Sequence, residues 1–214
     1  LLEDPVLLEE IRALTQKAGL SVDKVLVMEA SRKTARTNAY FTGIGASRQV
    51  VLYDTLIETR PIEEVKLVLA HELGHWKMGH LMKGIVLSTF SIFAAIMVFS
   101  FAFGLARQGF SAPDFERVFL CLILFFVLAS YVTTPISSLV SRKHEIEADM
   151  FSLEITCDPK SFTSAMVGLA RANLSDVCPP PFIRWFAFSH PTTMERIALA
   201  EQFETPSSFT KIDY

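Results

Sequence analysis

Two stretches without a charged side chain, Gly84 to Ala106 and Val118 to Ser141, constrain this sequence more than anything else in it. A helix needs roughly 20 residues to cross a hydrocarbon core of about 30 Å, and each stretch exceeds that length. A helix buried in a soluble core would stop sooner or carry a polar stripe, and neither does. Both are therefore expected to cross a bilayer as a helical hairpin. The polar segment Arg107 to Arg117, with Gly109, Pro113, Asp114 and Glu116, would turn it. Lys77, Lys83, Arg142 and Lys143 flank the membrane ends on the other side, against Arg107 and Arg117 in the loop. The side away from the loop is accordingly expected to be cytoplasmic. Pro135 falls inside the second stretch, where lipid-embedded helices tolerate a kink.

Composition removes several function classes. With 20 Lys and Arg against 23 Asp and Glu, the formal net charge is −3, which excludes the basic footprint of a nucleic-acid binder. Half of the residues are hydrophobic and 20% are charged, a balance foreign to disordered chains. Cys121, Cys157 and Cys178 are widely spaced, and no CxxC occurs. A disulfide scaffold and a Cys-based metal site are both unsupported. Residues 1–10 are acidic and lack the apolar core of a signal peptide. The first residue is Leu, and the chain reads as a piece of a longer protein.

Outside the hairpin the expected class is mainly α with a small β-sheet. Residues 3–18 place Val6, Leu7, Ile11 and Leu14 on one helical face. Residues 25–29 and 49–53 read as strands, and 38–44 as a short extended segment. Asp54 is expected to cap a short helix. Pro61 opens a longer one running through His71, His75 and His80 towards the first apolar stretch. Residues 142–156 and a segment from Asp158-Pro159 are helical. Phe182, Ile183, Trp185, Phe186 and Phe188 form either core or an interfacial anchor. Thr192 with Glu195 fits a capping box for a last helix. The expected parts are 1–83, 84–141 and 142–214: two pieces of one catalytic domain on either side of the hairpin.

His71-Glu72-Leu73-Gly74-His75 carries the chemistry. Residues four apart share a helix face, so two imidazoles can converge on one ion while Glu72 reaches an activated water. Zinc, one ion, suits two His and a carboxylate with an open position. Glu72 would accept the water's proton and pass it to the leaving amine. His80 lies five residues past His75, on a different face, and the longer His-x-x-Gly-x-x-His continuation fails at Met78 and Leu81. Glu145 fits better as third ligand. It shares a face with Ala148 and Asp149, and Asp149 could accept a hydrogen bond from a ligand imidazole. Taken alone, Glu145 and Asp149 are an ordinary solvated face. The segment at Asn38, Ala39 and Tyr40 could be an edge strand on which an extended substrate pairs, with the Asn38 amide holding a carbonyl. His190 could donate to a developing oxyanion. Arg196 could orient Asp149 or bind a substrate group. By themselves these last residues also read as packing and capping.

The pieces Asn38-Ala39-Tyr40-Phe41-Thr42-Gly43, His71-Glu72-Leu73-Gly74-His75-Trp76, Glu145-Ile146-Glu147-Ala148-Asp149 and Ser189-His190-Pro191 with Glu195-Arg196 resemble the zinc metallopeptidase family of the type I CAAX prenyl proteases and HtpX-type membrane proteases. The first and second pieces look closer to the CAAX type. The resemblance implies a zincin-like domain with His71, His75 and Glu145 on zinc and Glu72 as general base and acid. Asp149 and Arg196 would support the site, and His190 and Asn38 would contact a polypeptide substrate. It also implies an integral membrane endopeptidase with its site on the cytoplasmic side of a bacterial inner membrane or of the endoplasmic reticulum, and further N-terminal membrane helices missing from this piece. An HtpX-like quality-control protease is the neighbouring reading. A zinc-stabilised membrane scaffold is the non-enzymatic one, and it needs a fourth protein ligand from His80 or His190.

Overall fold

The structure, a computed structural model, describes residues 1–34, 36–43, 49–106 and 115–204. The chain divides into two compact units, one of residues 1–78, 143–179 and 190 onward, the other of residues 79–142 and 180–189. The expected architecture is present: among the described residues the chain is mainly helical, with one three-stranded sheet and two long apolar helices.

In the first unit, α1 (Pro5–Lys17) starts where the Asp4 carboxylate accepts from the Val6 and Leu7 backbone N–H groups at 2.9 and 3.1 Å. Strands β1 (Lys24–Met28), β2 (Ala39–Thr42) and β3 (Gln49–Tyr53) form a sheet in the order β1-β3-β2. β1 runs parallel and β2 antiparallel to β3, so β2 is an edge. The short helix α2 (Asp54–Thr59) follows. Asp54 is its first residue rather than its cap, because its carboxylate is engaged elsewhere as well, by the Ala30 and Ser31 N–H groups at 2.9 and 3.0 Å and by the Ser31 hydroxyl.

Helix α3 (Ile62–Lys77) is the hinge of the packing. Val65, Leu69, Ala70 and Leu73 join Leu7, Ile11, Val50, Leu52 and Leu56 in one core. Leu67 joins a second with Leu153, Phe162, Ala165, Met166 and Ala200. The helix was expected to continue through His80, but it stops at Met78 because Gly79 takes φ +68°, the left-handed value that glycine adopts without steric cost. Beyond it lie α6 (Pro159–Ala172), capped by Asp158, and α8 (Thr193–Glu204). The capping box at α8 is formed, with Thr192 N–H donating to Glu195 Oε2 at 2.8 Å and Glu195 N–H to Thr192 Oγ1 at 3.3 Å.

The second unit holds α4 (His80–Ala106), most of α5 (Phe115–Thr156) and α7 (Pro181–Ala187). At 1.5 Å per residue, the 42 residues of α5 exceed any bilayer core, and its uncharged stretch ends at Ser141, one residue before the unit does. Phe99 and Phe125 pack α4 on α5, ring centroids 5.4 Å apart. The hydroxyls of Ser91, Ser130 and Thr133 donate to carbonyls of their own helices, which satisfies them without water. Most of the expected turn, residues 107–114, lies outside the described residues. No α7 side chain is buried, so the core reading of the Phe182 to Phe188 cluster is corrected: this cluster is a surface.

Candidate metal centre

In the first unit, α3 and the last turns of α5 (143–156) bring the motifs together because both are small where they cross. A Cβ on Gly74 would stand 3.1 Å from Ala148 Cα and 3.2 Å from the Phe151 ring. That close approach sets the His71 and His75 face of α3 against the Glu145 and Asp149 face of α5. His71 Nε2 and His75 Nε2 lie 3.1 Å apart. Glu145 Oε2 is 3.4 Å from the first and Oε1 is 3.3 Å from the second. Tetrahedral bonds of 2.0–2.1 Å, the zinc values, require donors about 3.3 Å apart. The two imidazole nitrogens and the two Glu145 oxygens come close to that spacing pairwise, and one donor atom from each residue falls within 4.8 Å of the other two. Two imidazoles and one carboxylate are also the donor set of catalytic zinc, so the residues fit the ion in both geometry and chemistry. Among the described residues this group has three members. The fourth protein ligand that a structural site requires is not among them.

A chain of hydrogen bonds lies behind the ligands. His71 Nδ1 is 2.8 Å from Asp149 Oδ1. Arg196 grips the same carboxylate with two nitrogens, Nε donating to Oδ2 at 2.7 Å and Nη2 to Oδ1. Asp149 is fully buried. Burial opposes its ionisation, but the Arg196 charge and the His71 contact outweigh this and hold its pKa below the usual carboxylate range. Burial likewise opposes a charged His71, yet hydrogen bonds to Asp149 and Glu145 prevail and raise it to about 9. Glu145 is depressed by His71 and His75 against the effect of its own burial. The carboxylates thus make this a place that favours a cation. For Glu72 burial is the leading effect, and it raises the carboxyl above its ordinary value. That is the direction a proton acceptor working near neutrality needs.

Glu72, His71, Glu145, His190, Arg196 and Asn38 line one cavity of about 190 Å³. His190 is largely exposed, and its Nε2 lies 3.4 Å from Glu145 Oε1. Asn38 ends the edge strand: its carbonyl accepts from Tyr53 N–H at 3.0 Å, and its side-chain Oδ1 accepts from Ala39 N–H at 2.9 Å. Ala39 and Tyr40 are not among the residues lining the cavity. The Ala39 side chain is buried in the core, and the Tyr40 ring packs edge-on against Tyr53. The opposite wall comes from Phe162, Ala165, Met166 and Leu169 of α6. The spacing of Phe162, Met166 and Leu169 marks one face of a helix in the sequence, and the structure shows that this face lines the cavity.

Residues 2–204 match the model of peptidase family M48, and the chain belongs to that family. It is 31% identical over 217 residues to CAAX prenyl protease 1 of Saccharomyces cerevisiae, covering 92% of this chain and 48% of that protein. It is 34% identical over 210 residues to a metalloprotease, YhfN, of Bacillus subtilis, covering 95% and 49%. A crystal structure of S. mikatae Ste24p superposes with a TM-score of 0.78 at 28% identity, over 94% of this chain and 51% of that one. The chain spans about half the length of these relatives.

Proposed function

We propose that this chain is the catalytic part of a membrane-embedded zinc endopeptidase of the CAAX prenyl protease type, acting on membrane-associated or hydrophobic polypeptides. The observation that carries the reading is the 3.1–3.4 Å triangle of His71, His75 and Glu145 donors beside a half-buried Glu72 whose carboxyl is raised. His71, His75 and Glu145 hold one zinc ion, which when bound acidifies water and polarises a carbonyl. Glu72 takes the proton as water oxygen attacks the scissile carbonyl carbon. It returns that proton to the amine as the C–N bond breaks. Asp149, fixed by Arg196, holds His71 Nδ1 protonated and so keeps Nε2 directed at the ion. His190 offers a donor to the oxyanion from the cavity wall.

The substrate lies along β2. The Asn38 carbonyl bonds to Tyr53 and antiparallel pairs alternate, so Ala39 and Phe41 turn their backbone groups to the free edge. The Ala39 N–H is taken by Asn38 Oδ1, leaving the Asn38 amide nitrogen as the donor to a substrate carbonyl. α4 and the first part of α5 cross the bilayer, with the site on the cytoplasmic side of a bacterial inner membrane or of the endoplasmic reticulum. Residues 1–83 and 142–214 act as one catalytic domain around the 84–141 hairpin, and membrane helices outside this chain complete the whole protein. Glu72→Gln should lower peptide hydrolysis about 10²–10⁴-fold with zinc content, read by mass spectrometry, unchanged. Undiminished turnover in that variant would remove Glu72 from the proton transfer and overturn this mechanism.

A further inference from the structure

Helix α7 carries aromatic side chains that a water-facing surface does not explain. Phe182, Ile183 and Trp185 are 69%, 49% and 47% exposed. The rings of Phe182, Trp185 and Phe186 form one face: Phe182 stacks on Phe186 at 5.9 Å, and Trp185 lies 5.9 and 6.2 Å from these two. Soluble proteins rarely leave such a contiguous patch in water.

The second unit fixes the level of this face along α5. The last carbonyls of a helix are short of partners, and α5 adds donors to those of α7 here. Ser138 Oγ donates to Phe186 O at 3.3 Å, and Arg142 Nη1 donates to Arg184 O at 3.2 Å and to Phe188 O. Ser138 and Arg142 bracket Ser141, where the uncharged stretch ends. The α7 backbone is therefore pinned where α5 leaves its apolar run. The Phe186 ring points back along that run and meets Tyr131, centroids 6.3 Å apart. Tyr131 precedes Ser138 by two helical turns, about 10 Å. Backbone at the end of an apolar run, rings directed into it, and a Trp beside them is the arrangement that the membrane–water interface selects.

We propose that α7 is an interfacial helix whose Phe182, Trp185 and Phe186 face inserts into the headgroup and upper acyl region of the bilayer. The inference rests on the reading of α4 and α5 as membrane-spanning, and the test separates the two. The protein is reconstituted into phosphatidylcholine nanodiscs carrying a quencher either near the glycerol backbone or at the acyl chain end. Trp185 emission is the wild-type signal minus that of Trp185→Phe. If that variant fails to fold, Trp76→Phe isolates Trp185 directly, since the chain has 2 Trp. Leu128→Trp reports the middle of α5. An interfacial Trp185, about 5–10 Å below the headgroups, should lose about twofold more emission to the shallow label than to the deep one, and Leu128→Trp should show the reverse. If Leu128→Trp is quenched by lipid and Trp185 by neither label, the proposal is overturned. Acrylamide then shows whether water or protein covers the face: a second copy, a substrate or another membrane helix. If neither tryptophan senses lipid, the spanning reading falls and takes this inference with it.

Discussion

Along α5, Ile123, Leu124, Leu128, Tyr131 and Ile136 are 46% to 63% exposed, whereas Ala148, Asp149, Ser152 and Leu153 of the same helix are at 0%. Most polar groups divide at the same place; the exceptions are Ser138, which donates to Phe186 O of α7, and Thr156, which donates to Ser152 O of its own helix. Before Arg142, the Ser130, Thr133 and Ser137 hydroxyls bond to carbonyls of their own helix. After it, Glu145, Asp149 and Ser152 reach partners on α3, α8 or the segment before α8. On the proposed membrane-spanning reading, one backbone serves two solvents. Hydrocarbon lets apolar side chains face outward and requires polar ones to be satisfied locally. A packed water-side core lets distant elements share polar contacts, at a high cost if one partner is lost. The metal site sits just past the change, where a carboxylate can be buried and still be given partners.

Removing the group that most depends on this arrangement should have the largest effect. Glu145→Ala takes one of three ligands from the cluster, and zinc affinity should fall more than the roughly 10–100-fold typical of a supporting residue. Hydrolysis should fall with it. A matched change in the first half, Ser137→Ala, should leave zinc content untouched. Zinc held at wild-type affinity by Glu145→Ala would place the ion elsewhere and undo the contrast between the halves.

Next comes the buried pair. Arg196→Met strands a fully buried Asp149 carboxylate, and breaking such a pair from one side costs about 3–5 kcal/mol. Denaturant titration in detergent should show it. Asp149→Asn still accepts from His71, so its loss should be smaller, and the double variant should cost clearly less than the sum of the singles. Additive losses would mean that the two residues are not one unit, and that the second half of α5 shares its polar contacts less than the distances indicate.

How much of this the sequence discloses follows the same division. The apolar runs are legible because crossing a bilayer is decided by length and lack of charge, both local properties. His71 and His75 are legible because four residues is one helical turn. Glu145 and Asp149 share a face by the same rule, but their meeting with His71 depends on Gly74 and Ala148 allowing two helices to close, a contact 74 residues apart in the chain that spacing alone does not specify. The end of α3 was misjudged because Gly79 could sit within a helix as readily as end one, and its positive φ is visible only in three dimensions. The α6 wall of the cavity was legible as a stripe and not as a site, since an apolar face looks the same whether it covers a core or a substrate.

The finest test of the contrast uses two serines of α5. Ser152, fully buried, donates to Leu67 O on α3 at 3.1 Å. Ser137 donates to Thr134 O of its own helix at 2.9 Å. Leu67 O keeps its place in the α3 ladder if the serine goes, so Ser152→Ala forfeits one net hydrogen bond, about 0.5–1.5 kcal/mol. In a domain of this size that is about 1–6 °C in Tm. Ser137→Ala gives up a bond that competes with the helix and gains helix propensity, so its Tm should stay within the roughly 0.5 kcal/mol scatter of surface changes. Thermal unfolding in one detergent measures both. Equal shifts would show that hydroxyls do the same work before and after Arg142, and that something other than a change of solvent along α5 sets where the site is built.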